Sequence, residues 1–288
     1  MYKKKNNKLN IRNALLILLI VFVSGCSATF TYNNIGWLSG FWIDDYIDLD
    51  KQQSQIMKSL VKDTRDWHRE SQLPLYKADL IHLEGLLTDS PTEQALIDHF
   101  NRSSGHWQTL VDHIALPLIE VAKTLDDKQK ANLISTIRDD INEEQEEYEK
   151  QTDRERSDSR LEKQIDTYND WLGKLSKQQV TLISIANDNY VSRFNLWQSY
   201  KMTRLEALIT TFNDSEITPS EFEQNMLHII TDREAFMSDE LIALNKQNRA
   251  QYASLLVVLR QTLTEKQIKY AKDKFSDMIE EIDELIAN

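Results

Sequence analysis

Few places in this chain hold residue types at spacings that could do chemistry. His99, His106 and His113 fall seven apart, on one face of a helix if the segment is helical. Seven residues rise about 10.5 Å, too far for two of these imidazoles to share a metal ion, so each would need ligands from elsewhere. Glu143, Glu144, Glu146, Glu147 and Glu149 would attract cations, but such a run reads first as a solvated helix face. The string Trp67-His68-Arg69, followed by Leu73-Pro74 and Tyr76, sets a basic pair beside an interrupted helical pattern. His68 and Arg69 could there receive a carboxylate, or Arg69 pairs with the protein's own acids near a kink. A second aromatic group, YNNIGWLSGFWIDDY at 32–46, contains Trp37, Trp42, Asp44, Asp45 and Tyr46. Its rings either seal one end of a bundle or lie at the level of lipid headgroups. The six glycines are isolated, which removes a phosphate-cradling loop. There is no His-Glu-x-x-His, no Glu-x-x-His pair and no serine elbow. These residue types and spacings predict no catalytic residue, no metal and no cofactor.

The single cysteine, Cys26, sits where an apolar run gives way to polar sequence. Before it come Lys3, Lys4, Lys5, Lys8 and Arg12, then ALLILLIVFV at 14–23. About ten apolar residues suit the core of an export signal and fall short of the ~20 that span a bilayer. Val23-Ser24-Gly25-Cys26 resembles the lipobox of bacterial lipoproteins, whose cysteine is diacylated and becomes the new N-terminus. Two acyl chains anchor stably where one is marginal. By the same resemblance, Ser27 rather than Asp after the cysteine implies the outer membrane of a Gram-negative cell. An acylated Cys26 leaves no thiol for a disulfide, so stability must come from packing.

The full chain of 288 residues has a net charge of −12. Losing residues 1–25 removes five basic and no acidic side chains, leaving 29 basic against 46 acidic and a net charge of −17. Such a field repels phosphates, which argues against nucleic acid as a partner.

Four proline and six glycine residues, abundant charge and apolar spacings of three and four predict an all-α chain. One phrase occurs four times: Leu49-Asp50-x-x-Gln53, Leu125-Asp126-x-x-Gln129, Leu175-Ser176-x-x-Gln179 and Leu263-Thr264-x-x-Gln267. Each is a capping box, in which the cap side chain accepts from the backbone N–H three residues on and the Gln reaches back. Ser90-Pro91-Thr92-Glu93 and Thr218-Pro219-Ser220-Glu221 mark two further starts, with Ser90 and Thr218 as caps. The six signals recur in one order in each half, at offsets of 126, 128 and 138 residues, which predicts duplication of a three-helix unit in an elongated bundle. The expected helices cover 51–88, 91–124, 127–174, 177–213, 219–262 and 265–287. Breaks or kinks are expected at Pro74 and Pro117.

Tyr32-Asn33-Asn34, Trp37, Trp42-Ile43-Asp44-Asp45-Tyr46-Ile47-Asp48-Leu49, Gln52-Gln53, Trp67-His68-Arg69 and Leu73-Pro74-x-Tyr76 together resemble an uncharacterised family of helical lipoproteins of Gram-negative bacteria, a domain of unknown function. The resemblance covers most of the mature chain and implies no established activity. A weaker likeness is to periplasmic chaperones of the Spy and CpxP type, which carry Leu-Thr-x-x-Gln repeats that only Leu263–Gln267 matches in full. The expected organisation is a signal peptide at 1–25, an aromatic-rich tether at 26–48, a helical unit at 49–148, a polar connecting helix at 149–174 and a second helical unit at 175–288. The expected role is a binding, assembly or chaperone-like module, held to the membrane through Cys26 and meeting a periplasmic or outer-membrane protein. An envelope-acting hydrolase and a carrier of a small ligand or cation are the alternatives.

Overall fold

The computed structural model describes residues 25–287, without the side chains of residues 25–28, Trp37, Phe41 and Trp42. The export segment up to residue 24, and the side chains of Cys26, Trp37 and Trp42, lie outside the described residues. The protein is all-α, with no strand among the described residues. The first half runs α1 (Gly25–Asn33), α2 (Ile35–Tyr46), α3 (Lys51–Trp67), a π-helical turn (His68–Gln72), α4 (Leu73–Thr88), α5 (Glu93–Ala122) and α6 (Asp127–Glu149). The second runs α7 (Asp153–Leu172), α8 (Lys177–Asp188), α9 (Phe194–Asn213), α10 (Pro219–Thr231), a 3₁₀ turn (Glu234–Phe236), α11 (Asp239–Gln261) and α12 (Glu265–Ala287). No described helix is long and apolar enough to cross a membrane.

All four Leu-cap-x-x-Gln phrases form capping boxes, opening α3, α6, α8 and α12. Their glutamines are buried, Gln179 completely. A buried primary amide is costly unless its polar atoms are satisfied, and here the glutamines satisfy one another in pairs. Gln53 Nε2 donates to Gln129 Oε1 at 3.1 Å and Gln129 Nε2 donates back at 2.6 Å. Gln179 and Gln267 do the same at 3.0 Å in both directions. Each Nε2 also donates to the backbone of the opposite loop. Gln53 reaches the Thr124 carbonyl and Gln179 that of Thr262, while Gln129 reaches Asp48 and Gln267 reaches Lys174. These acceptors differ by the same 138 and 126 residues as the phrases themselves.

Packing follows the same correspondence. Helix α6 lies on α9 and α12 lies on α4, so each half sends its last helix to the other. Helix α2 contacts α3 and α6 as α7 contacts α8 and α12, which adds a fourth helix to each of the units expected from sequence. Leu125 joins Ile119, Ile141, Leu208, Phe212 and Met226 in the largest apolar cluster. Leu175 packs with Tyr168, Ile183, Leu255 and Leu259 in a second. Leu73, Ile282 and Leu285 form a third, where α12 meets α4.

Several boundaries differ from the expected map. The segment 127–174, expected as one helix whose part from 149 connects the two units, is two helices, because Thr152 accepts from the Glu155 N–H and the Glu155 carboxylate reaches back to Thr152, a further capping box that opens α7. Helix α5 starts after Thr92, not Ser90; Thr92 Oγ1 accepts from the Ala95 N–H at 3.2 Å. It is continuous through Pro117. The segments 177–213 and 219–262 are each divided in two, the latter where Ser238 caps α11.

Candidate functional site

Pro74 brings no N–H to the helix, and its ring would strike the carbonyl four residues back. The chain resolves this by widening one turn: the Leu73 N–H bonds to the His68 carbonyl, five residues back, and α4 continues with Pro74 in its first turn. The expected break is therefore a π turn, a feature frequent at functional sites. His68, carried on that turn, meets Tyr76 edge to face at 5.1 Å and Tyr32 at 5.9 Å. The Tyr32 hydroxyl donates to the Arg65 carbonyl at 3.2 Å and lies 3.0 Å from His68 Nδ1. Arg69 donates to the Asn33 side chain and lies over the Tyr32 ring, 5.4 Å from its centroid. Beyond Tyr76 stands His106, 4.6 Å away, whose Nε2 is 2.6 Å from Asp79 Oδ2. Trp67 stacks on His113 at 3.7 Å.

Burial sets the protonation of this cluster. It pushes the His68 imidazole down to about 4 and, outweighing the pull of Arg69 and Arg65, pushes the Tyr32 phenol up to about 12. Burial also raises Asp79, but hydrogen bonds from His106 and Arg102 outweigh it and hold the carboxyl below its ordinary range. His68 is thus neutral near pH 7, and its neighbours fill the space around it.

The more open feature lies elsewhere. A groove of about 1840 Å³ runs between α6, α7 and α9, reaching α5, α10 and α11. Seven cationic side chains and five carboxylates line it, reversing the balance of the whole chain. Its arginines lie against aromatic rings: Arg156 over Tyr148 at 3.9 Å, Arg160 over Tyr190 at 4.4 Å, Arg204 over Tyr200 at 5.5 Å, with Arg193 and Arg233 on Trp197 at 5.9 and 6.0 Å. Hydrogen bonds fix several of them. Arg160 Nε donates to Asn187, which is 2% exposed, and Arg204 donates to the Ile229 carbonyl and the Tyr200 hydroxyl. Arg156 pairs with Asp153 and Lys201 with Glu144. Arg160, Arg193, Arg204 and Arg233 have no carboxylate within 4.0 Å among the described residues.

Tyr46 joins this groove to α2. Its hydroxyl donates to Asp140 on α6, and burial, reinforced by that bond, raises the phenol far above its ordinary range. Under α2 lies an apolar cavity of about 590 Å³, walled by Ile43, Ile47, Leu133, Phe212 and Met226.

Residues 45–242 match a family described as a family of unknown function, DUF6279. The chain belongs to DUF6279. No curated protein and no solved structure matches it. The matched span of this DUF6279 chain encloses Trp67, His68, Arg69, Tyr76 and all five groove arginines. The residues singled out from sequence divide between two places. Trp67, His68, Arg69 and Tyr76 converge around the π turn on α1 and α5, whereas Tyr46 faces α6 and the groove. Asp44 and Asp45 are exposed on α2. Arg69 bonds to Asn33 instead of an acid. The groove arginines were not anticipated, although Tyr190, Arg193, Trp197, Tyr200 and Arg204 step by three and four, the spacing of one helix face.

Proposed function

We propose that this DUF6279 chain is an outer-membrane lipoprotein, acylated at Cys26, whose helical body faces the periplasm and acts as a binding or assembly module. The observation that carries the binding role is the groove between α6, α7 and α9, where Tyr, Trp and Arg side chains are assembled without enough acids to neutralise them. Tyr, Trp and Arg are the residues that dominate protein interfaces energetically. Trp107, Val191 and Tyr252 on its walls remain 38%, 45% and 49% exposed, leaving apolar surface for a partner to cover. A hydrolytic role finds less support, since Asp140, Glu144 and Asp153 in the groove are engaged by Tyr46, Lys201 and Arg156.

Two measurements test this reading. Metabolic labelling with a fatty-acid probe should mark the wild type, and Cys26→Ser should lose both the label and its membrane fraction. In-cell photocrosslinking from Trp107 or Val191, each replaced by a photoreactive residue, should trap an envelope protein, whereas the same residue at exposed Ile81 on α4 should not. A labelled Cys26→Ser protein would overturn the anchor, and equal capture from all three positions would overturn the docking site.

A further inference from the structure

We infer that the groove receives an acidic peptide segment of a partner protein, whose carboxylates dock on Arg160, Arg193, Arg204 and Arg233; this rests on the groove being the docking site proposed above. Charge complementarity carries the argument. The chain as a whole has a net charge of −12, with acids outnumbering bases by 46 to 34, yet the groove collects seven cations against five carboxylates. Two of those five carboxylates are already spent on Arg156 and Lys201. A guanidinium in a mainly acidic protein would ordinarily find a carboxylate, and these four face aromatic rings instead. The Arg233 side chain makes no hydrogen bond or ion pair among the described residues and lies 6.0 Å from the Trp197 ring centroid.

The donors are also held in place. Arg160 uses Nε and Nη2 on Asn187 and Ser157, which leaves Nη1 for a ligand. Arg193 uses one Nη1 bond on Asn245, leaving Nε and Nη2. The free edge of Arg193, Nε with Nη2, matches a carboxylate in bidentate fashion, Arg160 offers a single Nη1 donor, and holding these groups beforehand reduces what must be ordered on binding. The aromatic walls favour a peptide with apolar side chains between its acids. A bare polyanion would gain from the arginines but not from Trp107, Val191 or Tyr252, and the acidic field outside the groove would repel it. A second copy of this chain meets the same repulsion.

The experiment uses the mature chain with Cys26→Ser and a fluorescent peptide alternating Glu with Phe and Leu, read by anisotropy. Binding should be saturable, weaken with salt, be lost when every Glu is replaced by Gln, and fall about tenfold or more in Arg193→Glu and in Arg233→Glu. Arg154→Glu, an exposed arginine outside the groove, should bind as the parent does. Circular dichroism and thermal melting establish that the variants are folded. Equal affinity for the Gln peptide, tighter binding of a single-stranded oligonucleotide or of phosphatidylglycerol vesicles, or a doubled mass in solution without ligand would each overturn it. Groove crosslinks that persist in Arg193→Glu and Arg233→Glu would sink the acidic ligand while leaving the docking site standing. Absent groove crosslinks would remove both.

Discussion

Gln179 and Gln267 exchange two amide hydrogen bonds of 3.0 Å, one in each direction, where the starts of α8 and α12 meet. Each Oε1 additionally accepts from its own cap's backbone N–H, so one side chain completes a capping box and a contact between elements 88 residues apart. Gln179→Leu should leave the Gln267 amide and the Thr262 carbonyl short of partners, at about 1–3 kcal/mol for each buried group left unpaired. Replacing both glutamines by leucine should cost less than the two single losses added together. A double-mutant cycle by urea unfolding measures this, with an expected coupling of about 0.5–3 kcal/mol. The Gln53 and Gln129 pair should give a coupling of the same sign.

His68 makes stability depend on pH. Burial lowers it from 6.5 to about 4, so between those values the unfolded chain holds a proton that the folded chain does not. Stability contributed by keeping His68 neutral is fully present above pH 6.5 and is lost as pH falls towards 4. At pH 5 the loss is about 2 kcal/mol. His68→Gln should remove that part of the slope, which the difference in urea midpoint between parent and variant at pH 7 and pH 5 would show.

Gly173, which closes α7, is the only described residue at positive φ, with φ 70° and ψ −155°. A β-carbon there meets nothing within 4 Å, so the cost of Gly173→Ala is a backbone cost. About 1–3 kcal/mol is expected in thermal or urea unfolding, because this region is open essentially to glycine alone.

Tyr46→Phe should detach α2 from Asp140 without removing its ring from the cavity wall. The expected loss is about 1–2 kcal/mol, and limited proteolysis should cut within residues 35–50 faster than in the parent.

The helix starts were legible because capping is local: cap and third residue stand within one turn, and Asp50, Asp126, Ser176, Thr218 and Thr264 all serve as expected. Thr92 displaced Ser90 because either hydroxyl could cap that start, and Thr152 went unread inside a charged run that carries no apolar stripe. The pairing of the boxes was not legible, since it joins residues 76 and 88 apart and local spacing carries no information about such contacts. The groove was hidden for the same reason. Arg160, Arg204 and Arg233 come from different elements, and only the fold shows that none of the groove's acids pairs with them. At the π turn the sequence located the disturbance at Pro74 but not its form, which depends on where the released carbonyls find donors.

Helix α12 packs on α1 as well as on α4, so the chain finishes beside the place where its described part begins. A load drawn through the N-terminus would therefore be shared at once with the last helix, and the body would hang from a closed ring rather than from a loose thread. Peeling away α12 would also unseal the Leu73, Ile282 and Leu285 cluster and pull Gln267 from Gln179, so strain arriving at one end would be felt at the opposite side of the molecule.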